Sequence, residues 1–115
     1  MPYIYMKIHL IKETSIQEYI ETQARSKSSF ENWLSKLFEA DWELPEDIKQ
    51  TFVSADLLGK GSSRVIFDIG GNDYRMICKY AFGEKEVHLF VCWIGTHAEY
   101  DKLCADKKQY TVFYY

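Results

Sequence analysis

At 115 residues the chain is long enough for one hydrophobic core and too short for two. Its 47% apolar and 17% aromatic content argues against disorder, and no apolar run approaches the roughly 20 residues of a membrane span. A net charge of −3 excludes a global basic field for gathering nucleic acid, so any RNA binding must rest on a local patch.

The first stretch, Tyr3 to Ile11, alternates Ile4, Met6, Ile8 and Leu10 with Tyr3, Tyr5, Lys7 and His9, the period of a half-buried strand. It begins with mixed polar residues, which predicts no signal peptide and a cytoplasmic chain. Thr14 or Ser15 offers an N-cap, with Gln17 or Glu18 three residues on, and predicts a helix ending near Arg25 to Lys27. Ser28 and Glu31 form a second capping box. Behind it, Phe30, Trp33, Leu34, Leu37 and Phe38 recur at helical spacing and predict a core-facing stripe. Pro45 suits the first turn of a short helix to about Thr51, anchored by Ile48 and Phe52. Ser54 to Leu58 then leads into the polar loop Gly59 to Ser63, which lacks the GxxxxGK[ST] pattern of a phosphate loop.

From Arg64 onward two turns, Gly70-Gly71-Asn72-Asp73 and Phe82-Gly83-Glu84-Lys85, separate alternating runs and predict a three-stranded antiparallel meander. Thr96 and Glu99 form a third capping box, placing His97, Tyr100 and Asp101 on the first turns of a short helix. His97 and Tyr100, three residues apart, share a helix face. The end, from Lys107 to Tyr115, is rich in β-formers and leaves three readings: an edge strand, a segment pairing with another chain, or a frayed tail.

Chemistry concentrates between Arg64 and Asp101. Cleaving an RNA phosphodiester through its own 2′-hydroxyl needs a base at that hydroxyl, cations facing the phosphorane, and an acid for the 5′ oxygen. Imidazole titrates near neutral pH, which makes His97 the natural acid or base, and Tyr100 can donate a hydrogen bond or stack on a nucleobase. Arg75 and Lys79 share one strand face and suit phosphate, with Arg64 on the neighbouring strand. Arg75 has a second reading, an ion pair with Asp68 or Asp73 across the hairpin. Cys78, Cys92 and Cys104 lack CxxC spacing and read as reduced thiols, and His9, His88 and His97 are too dispersed for a metal pattern. No metal or cofactor is expected.

The blocks Ala40-Asp41-Trp42, Ile48 to Asp56, Val65 to Arg75 with its Gly70-Gly71-Asn72-Asp73-Tyr74-Arg75 end, and Thr96-His97-Ala98-Glu99-Tyr100-Asp101 resemble the HigB-type toxins. These are bacterial messenger-RNA interferases of the RelE superfamily, found in type II toxin–antitoxin systems. The likeness covers about Lys7 to Leu103, and the ordered pair GGNxYR and THxEYD is its specific part. It implies a compact α+β domain over residues 1–115, an antiparallel sheet packed on two N-terminal helices with a short C-terminal helix, and an extension at 104–115. It also implies metal-independent, ribosome-dependent cleavage of translated mRNA. The partner would be a HigA-like helix-turn-helix antitoxin, through which alone the complex would bind operator DNA, and no membrane is involved. Carried over, the catalytic positions are Arg75, His97 and Tyr100, with Lys60, Arg64, Lys79 and Asp101 as RNA or ribosome contacts. Relatives often carry an arginine where this chain has Cys92. A catalytically weak RelE-fold protein that only holds an antitoxin or another protein is the alternative.

Overall fold

The computed structural model describes residues 7–115. In chain order its elements are β1 (Lys7–Ile11), α1 (Glu13–Thr22), α2 (Lys27–Phe38), α3 (Ile48–Thr51), β2 (Asp56–Leu58), β3 (Arg64–Ile69), β4 (Tyr74–Phe82), β5 (Glu86–Thr96) and α4 (His97–Ala105). Short 3₁₀ turns at Ala24–Ser26, Pro45–Asp47 and Lys108–Tyr110 join or follow them. The part of the first strand assigned to Tyr3–Met6 lies outside the described residues. Among the described residues no helix is long and apolar enough to cross a membrane.

The five strands form one sheet in the order β1-β5-β4-β3-β2. The expected meander is its centre, with β3, β4 and β5 antiparallel, and the fold is α+β as the resemblance implied. Two features differ from expectation. First, β1 runs parallel to β5, so the sheet is mixed: helices α1 and α2 carry the chain away before the meander, and the meander's last strand returns beside the first. Second, Asp56–Leu58 is an antiparallel edge strand on β3. Three residues are too few to display a period, which is why this segment, leading into the Gly59–Ser63 loop, carries no strand signal in the sequence.

Strand alternation gives the sheet two unlike faces. Val65, Phe67 and Ile69, Met76 and Cys78, and Val87, Leu89 and Val91 point to one side, where they meet Ile16, Phe30, Trp33, Leu37, Trp42 and Ile48 in the main core. Trp33, Phe52 and Phe67 meet with ring centroids 5.1 to 5.4 Å apart and join α2 to β3. Pairs of this kind contribute about 0.5–1.5 kcal/mol each beyond their buried area. The indole Nε1–H of buried Trp42 donates to Thr51 Oγ1 at 2.9 Å, so the α3 segment closes over it. A bulge at Cys92, where Ile77 opposes Trp93 and Cys78 opposes Val91, shifts the alternation so that both Val91 and Ile94 face this core.

The caps correct the sequence reading in two places. Helix α1 starts at Glu13 after Lys12 in the left-handed region (φ 72°), with no side-chain cap, and so Thr14 and Ser15 lie inside the first turn. The tight reversal out of β1 leaves no residue free to serve as an extended N-cap. Helix α2 starts at Lys27 with no side-chain cap at Ser26, because the preceding 3₁₀ turn runs into it and its carbonyl of Ala24 accepts the Lys27 N–H. The core stripe of α2 holds for Phe30, Trp33 and Leu37, but Phe38, the last residue of α2, is 78% exposed. The α4 capping box is present as read, with Glu99 N–H donating to Thr96 Oγ1 at 3.2 Å and Thr96 N–H donating to Glu99 Oε1 at 2.8 Å.

The other face carries a smaller cluster, Ile66, Ile77 and Cys92, covered by Tyr100 and Leu103 of α4 and by Val112. None of the three readings of the C-terminus describes it fully. After the Lys108–Tyr110 turn the chain crosses this face, Tyr114 N–H donates to Cys92 O at 2.7 Å, and Tyr115 packs against the main core. Beneath it the buried Arg64 guanidinium donates to Val112 O at 2.6 Å and Gln109 O at 3.3 Å. A buried cation needs acceptors, and the tail carbonyls supply them.

Candidate functional site

Of the candidate residues, Arg75, His97, Tyr100 and Asp101 lie where the β3–β4 turn meets the end of β5 and the start of α4. Gly70 and Gly71 adopt φ of +66° and +67° in that turn, and a Cβ on Gly70 would come within 2.8 Å of Ser29 Oγ. The turn therefore needs glycine both for its conformation and for its seat on α2. Tyr74 opposes Thr96 and Arg75 opposes Gly95. Gly95 is a second required glycine, since a Cβ there would sit 2.4 Å from the Trp93 ring. His97 N–H donates to Asp73 O at 3.1 Å, which ties the first turn of α4 to the turn that leads into β4 and Arg75.

His97 is 45% exposed in its side chain, and its Nδ1 lies 3.0 Å from Asp101 Oδ2, one helical turn on. This pairing holds the imidazole with Nδ1 toward the carboxylate and leaves Nε2 for a ligand. Tyr100 turns toward the sheet instead, with its ring 6.2 Å from Trp93 and its hydroxyl hydrogen-bonded to the Cys104 side chain. Burial chiefly, then the Cys104 bond and the Asp56 carboxylate, push its phenol well above the ordinary range, against the pull of Arg75. The phenol is thus a proton-bearing donor at neutral pH. His97 and Tyr100 occupy adjoining parts of α4 with separate partners.

Arg75 takes the ion-pair reading. Its Nε lies 3.1 Å from Asp68 Oδ1, directly across the hairpin, and its Nη1 donates to Tyr74 O at 3.0 Å and Gly71 O at 3.2 Å. A weaker contact runs from Nη2 to Asn72 Oδ1 at 3.4 Å. With 8% of its surface exposed, the guanidinium braces the turn and adds positive potential beneath Tyr100. Beside the residues expected from sequence, Asp68 and Asn72 hold Arg75 and Asp56 faces Tyr100. The hairpin register makes Asp68 legible in the sequence, whereas the Asp56 approach depends on β2 and α4 meeting in the fold.

The remaining cations divide. Arg64 opposes Lys79 in the sheet but is held by the tail, whereas Lys79 is exposed. Lys60, in the β2–β3 loop, places Nζ 4.9 Å from the centroid of the Tyr110 ring, at the tail rather than beside His97. Cys92, on the neighbouring strand β5, feels both cations, yet burial pushes its thiol up despite them. Cys78 is buried and raised further for the same reason, so both behave as packing residues.

Residues 26–103 match the HigB toxin family, the RelE-like toxic component of a toxin–antitoxin system. The chain belongs to that family. Its HigB-family membership makes an antitoxin its partner class. Similar curated proteins include the mRNA interferase HigB of Escherichia coli O6:H1, 28% identical over 84% of this chain and 91% of the relative. The mRNA interferase toxin HigB of Escherichia coli K12 is 23% identical over 82% of this chain and 88% of the relative. The mRNA interferase HigB of Shigella flexneri matches to the same extent, 23% over 82% and 88%.

Proposed function

We propose that this HigB-family toxin is an mRNA endoribonuclease that cleaves translated mRNA on the ribosome and is neutralised by a HigA-like helix-turn-helix antitoxin in the cytoplasm. Operator DNA is bound only through that antitoxin. The observation that carries the reading is the His97–Asp101 pair at 3.0 Å, on the exposed first turns of α4, within a chain matched by the toxin family.

In this reading the substrate 2′-oxygen attacks phosphorus and the 5′ oxygen leaves, giving a 2′,3′-cyclic phosphate. His97 Nε2 either takes the 2′ proton or, once protonated, gives one to the 5′ oxygen. Asp101, 3.0 Å from Nδ1, orients the ring. Tyr100 donates from its neutral phenol to a phosphate oxygen or carries a stacked base, and Lys79 meets the phosphate backbone. Arg75 acts mainly as a positioning residue for the turn against which His97 is tied. The test is induction of wild type and His97→Ala in bacteria, with primer-extension mapping of transcripts. Loss of a general acid–base group lowers the rate about 10²–10⁴-fold, so growth arrest and cleavage should disappear together. Equal cleavage by both proteins would sink the site assignment.

One observation favours a second reading, a toxin-fold protein that holds its partner without cleaving RNA. Both arginines of the second sheet face, Arg64 and Arg75, are occupied by groups of the protein itself. Tight antitoxin binding by wild-type protein, with no mRNA cleavage after induction, would select it.

A further inference from the structure

Far from α4, the β1–β5 pair brings together three side chains that lie far apart or unremarked in the sequence. The parallel register sets His9 beside His88. Glu86 and His88, two residues apart on β5, share a face by the strand period. The two imidazoles stack, with centroids 5.0 Å apart and ring planes 17° from parallel. His9 Nε2 lies 3.4 Å from Glu86 Oε1, and His88 Nε2 lies 4.0 Å from Glu86 Oε2. One potential ligand atom from each of the three residues falls within 4.8 Å of the other two.

We propose that His9, Glu86 and His88 form a binding site for a divalent transition-metal ion of the zinc class, which fastens the edge strand β1 to β5. Four observations support it. Two imidazoles and a carboxylate are a donor set suited to zinc and its neighbours, and three protein ligands leave a fourth position for water. Tetrahedral bonds of about 2.0–2.1 Å separate neighbouring ligand atoms by about 3.3 Å, so the His9–Glu86 spacing already fits and side-chain rotation closes the others. His9 Nε2 is buried with no hydrogen-bond partner, 3.4 Å from Glu86 Oε1. Finally, the side chains keep 33%, 38% and 55% exposure for His9, His88 and Glu86, beside an open groove of about 600 Å³ bordered by Ala81 and the Gly83–Lys85 turn. Glu86 and His88 line that groove, so an ion can reach them from solvent, with His9 Nε2 covered behind them.

The location separates this site from RNA cleavage. His88 and His97 lie at opposite ends of β5 and its continuation, about 30 Å apart at about 3.3 Å per residue. Among the described residues, edge strand β1 is hydrogen-bonded on one side only, to β5. A metal that binds the folded pair and not the separated strands raises stability by mass action.

The experiment uses tag-free, full-length His97→Ala protein, to avoid toxicity in production, with Zn²⁺ followed by calorimetry and Co²⁺ by its visible absorption. One equivalent should bind, a tetrahedral Co²⁺ spectrum should appear, and the melting temperature should rise with free Zn²⁺. Adding His88→Ala or Glu86→Gln should weaken affinity by at least about 100-fold and abolish the thermal shift. Circular dichroism shows whether each variant is folded, and Glu86→Gln, at a half-exposed surface position, serves if His88→Ala is not. Absence of stoichiometric binding, or equal affinity in a folded Glu86→Gln variant, would overturn the proposal.

Discussion

At the scale of single residues, Arg75 shows how one side chain can be read two ways. Its partners are Asp68 and two carbonyls of the turn, and the pair is mostly shielded from water. Removing one member leaves the other charge poorly solvated. Asp68→Ala should therefore lower unfolding free energy by about 1–3 kcal/mol in urea titration, less than for a fully buried pair because Asp68 keeps 28% exposure. A pure phosphate-binding arginine would show no such coupling. Tyr19 supplies a pH prediction. Burial chiefly, with Glu99, Tyr74 and Tyr115 adding, pushes its phenol up to about 12. In the unfolded chain the phenol ionises near its ordinary value of about 10. The associated stability is fully present below that value and is lost as pH climbs toward 12. Melting temperatures of wild type should consequently fall more steeply than those of Tyr19→Phe between those pH values.

At the scale of elements, caps were legible when a strand ended cleanly before a helix and illegible when one helix ran into another. Thr96 follows an extended strand residue and has β-region angles, so its hydroxyl is free to meet Glu99 N–H. Ser28 has the same sequence signature, yet the 3₁₀ turn ahead of α2 supplies carbonyls and leaves no cap for it to make. Thr96→Ala should cost about 1 kcal/mol of stability by thermal or urea unfolding. Because His97 is the first residue of α4, the same change should reduce mRNA cleavage more than a remote substitution of equal stability cost. The helical stripe of α2 was legible through Leu37 because its period matched the core. Phe38 was not, since the period says which face a residue occupies and not where the opposing surface stops.

At the scale of the molecule, the tail links the two faces of the sheet. It caps Arg64, covers Cys92 and seats Tyr115 against the main core. Truncation after Lys107 should lower the urea midpoint and uncover a thiol that is now 0% exposed. In a Cys104→Ser background, thiol-reagent labelling of Cys92 should speed up markedly relative to the full-length chain. Unchanged labelling would mean that α4 alone shields it. Truncation would also release Arg64, the cation opposite Lys79, onto the face proposed for RNA.

The sequence by itself determined the meander, the turn glycines and the α4 cap, because each depends on neighbours within a few residues and on a fixed period. It also carried the family, through the ordered blocks around Arg75 and His97. Tertiary structure alone decided the parallel partner of β1, the fate of both arginines and the meeting of His9 with Glu86 and His88. Those outcomes depend on which strands become adjacent and where the last residues dock. No local pattern encodes that adjacency, since it is set by how the helices and the tail cover the two faces of one sheet.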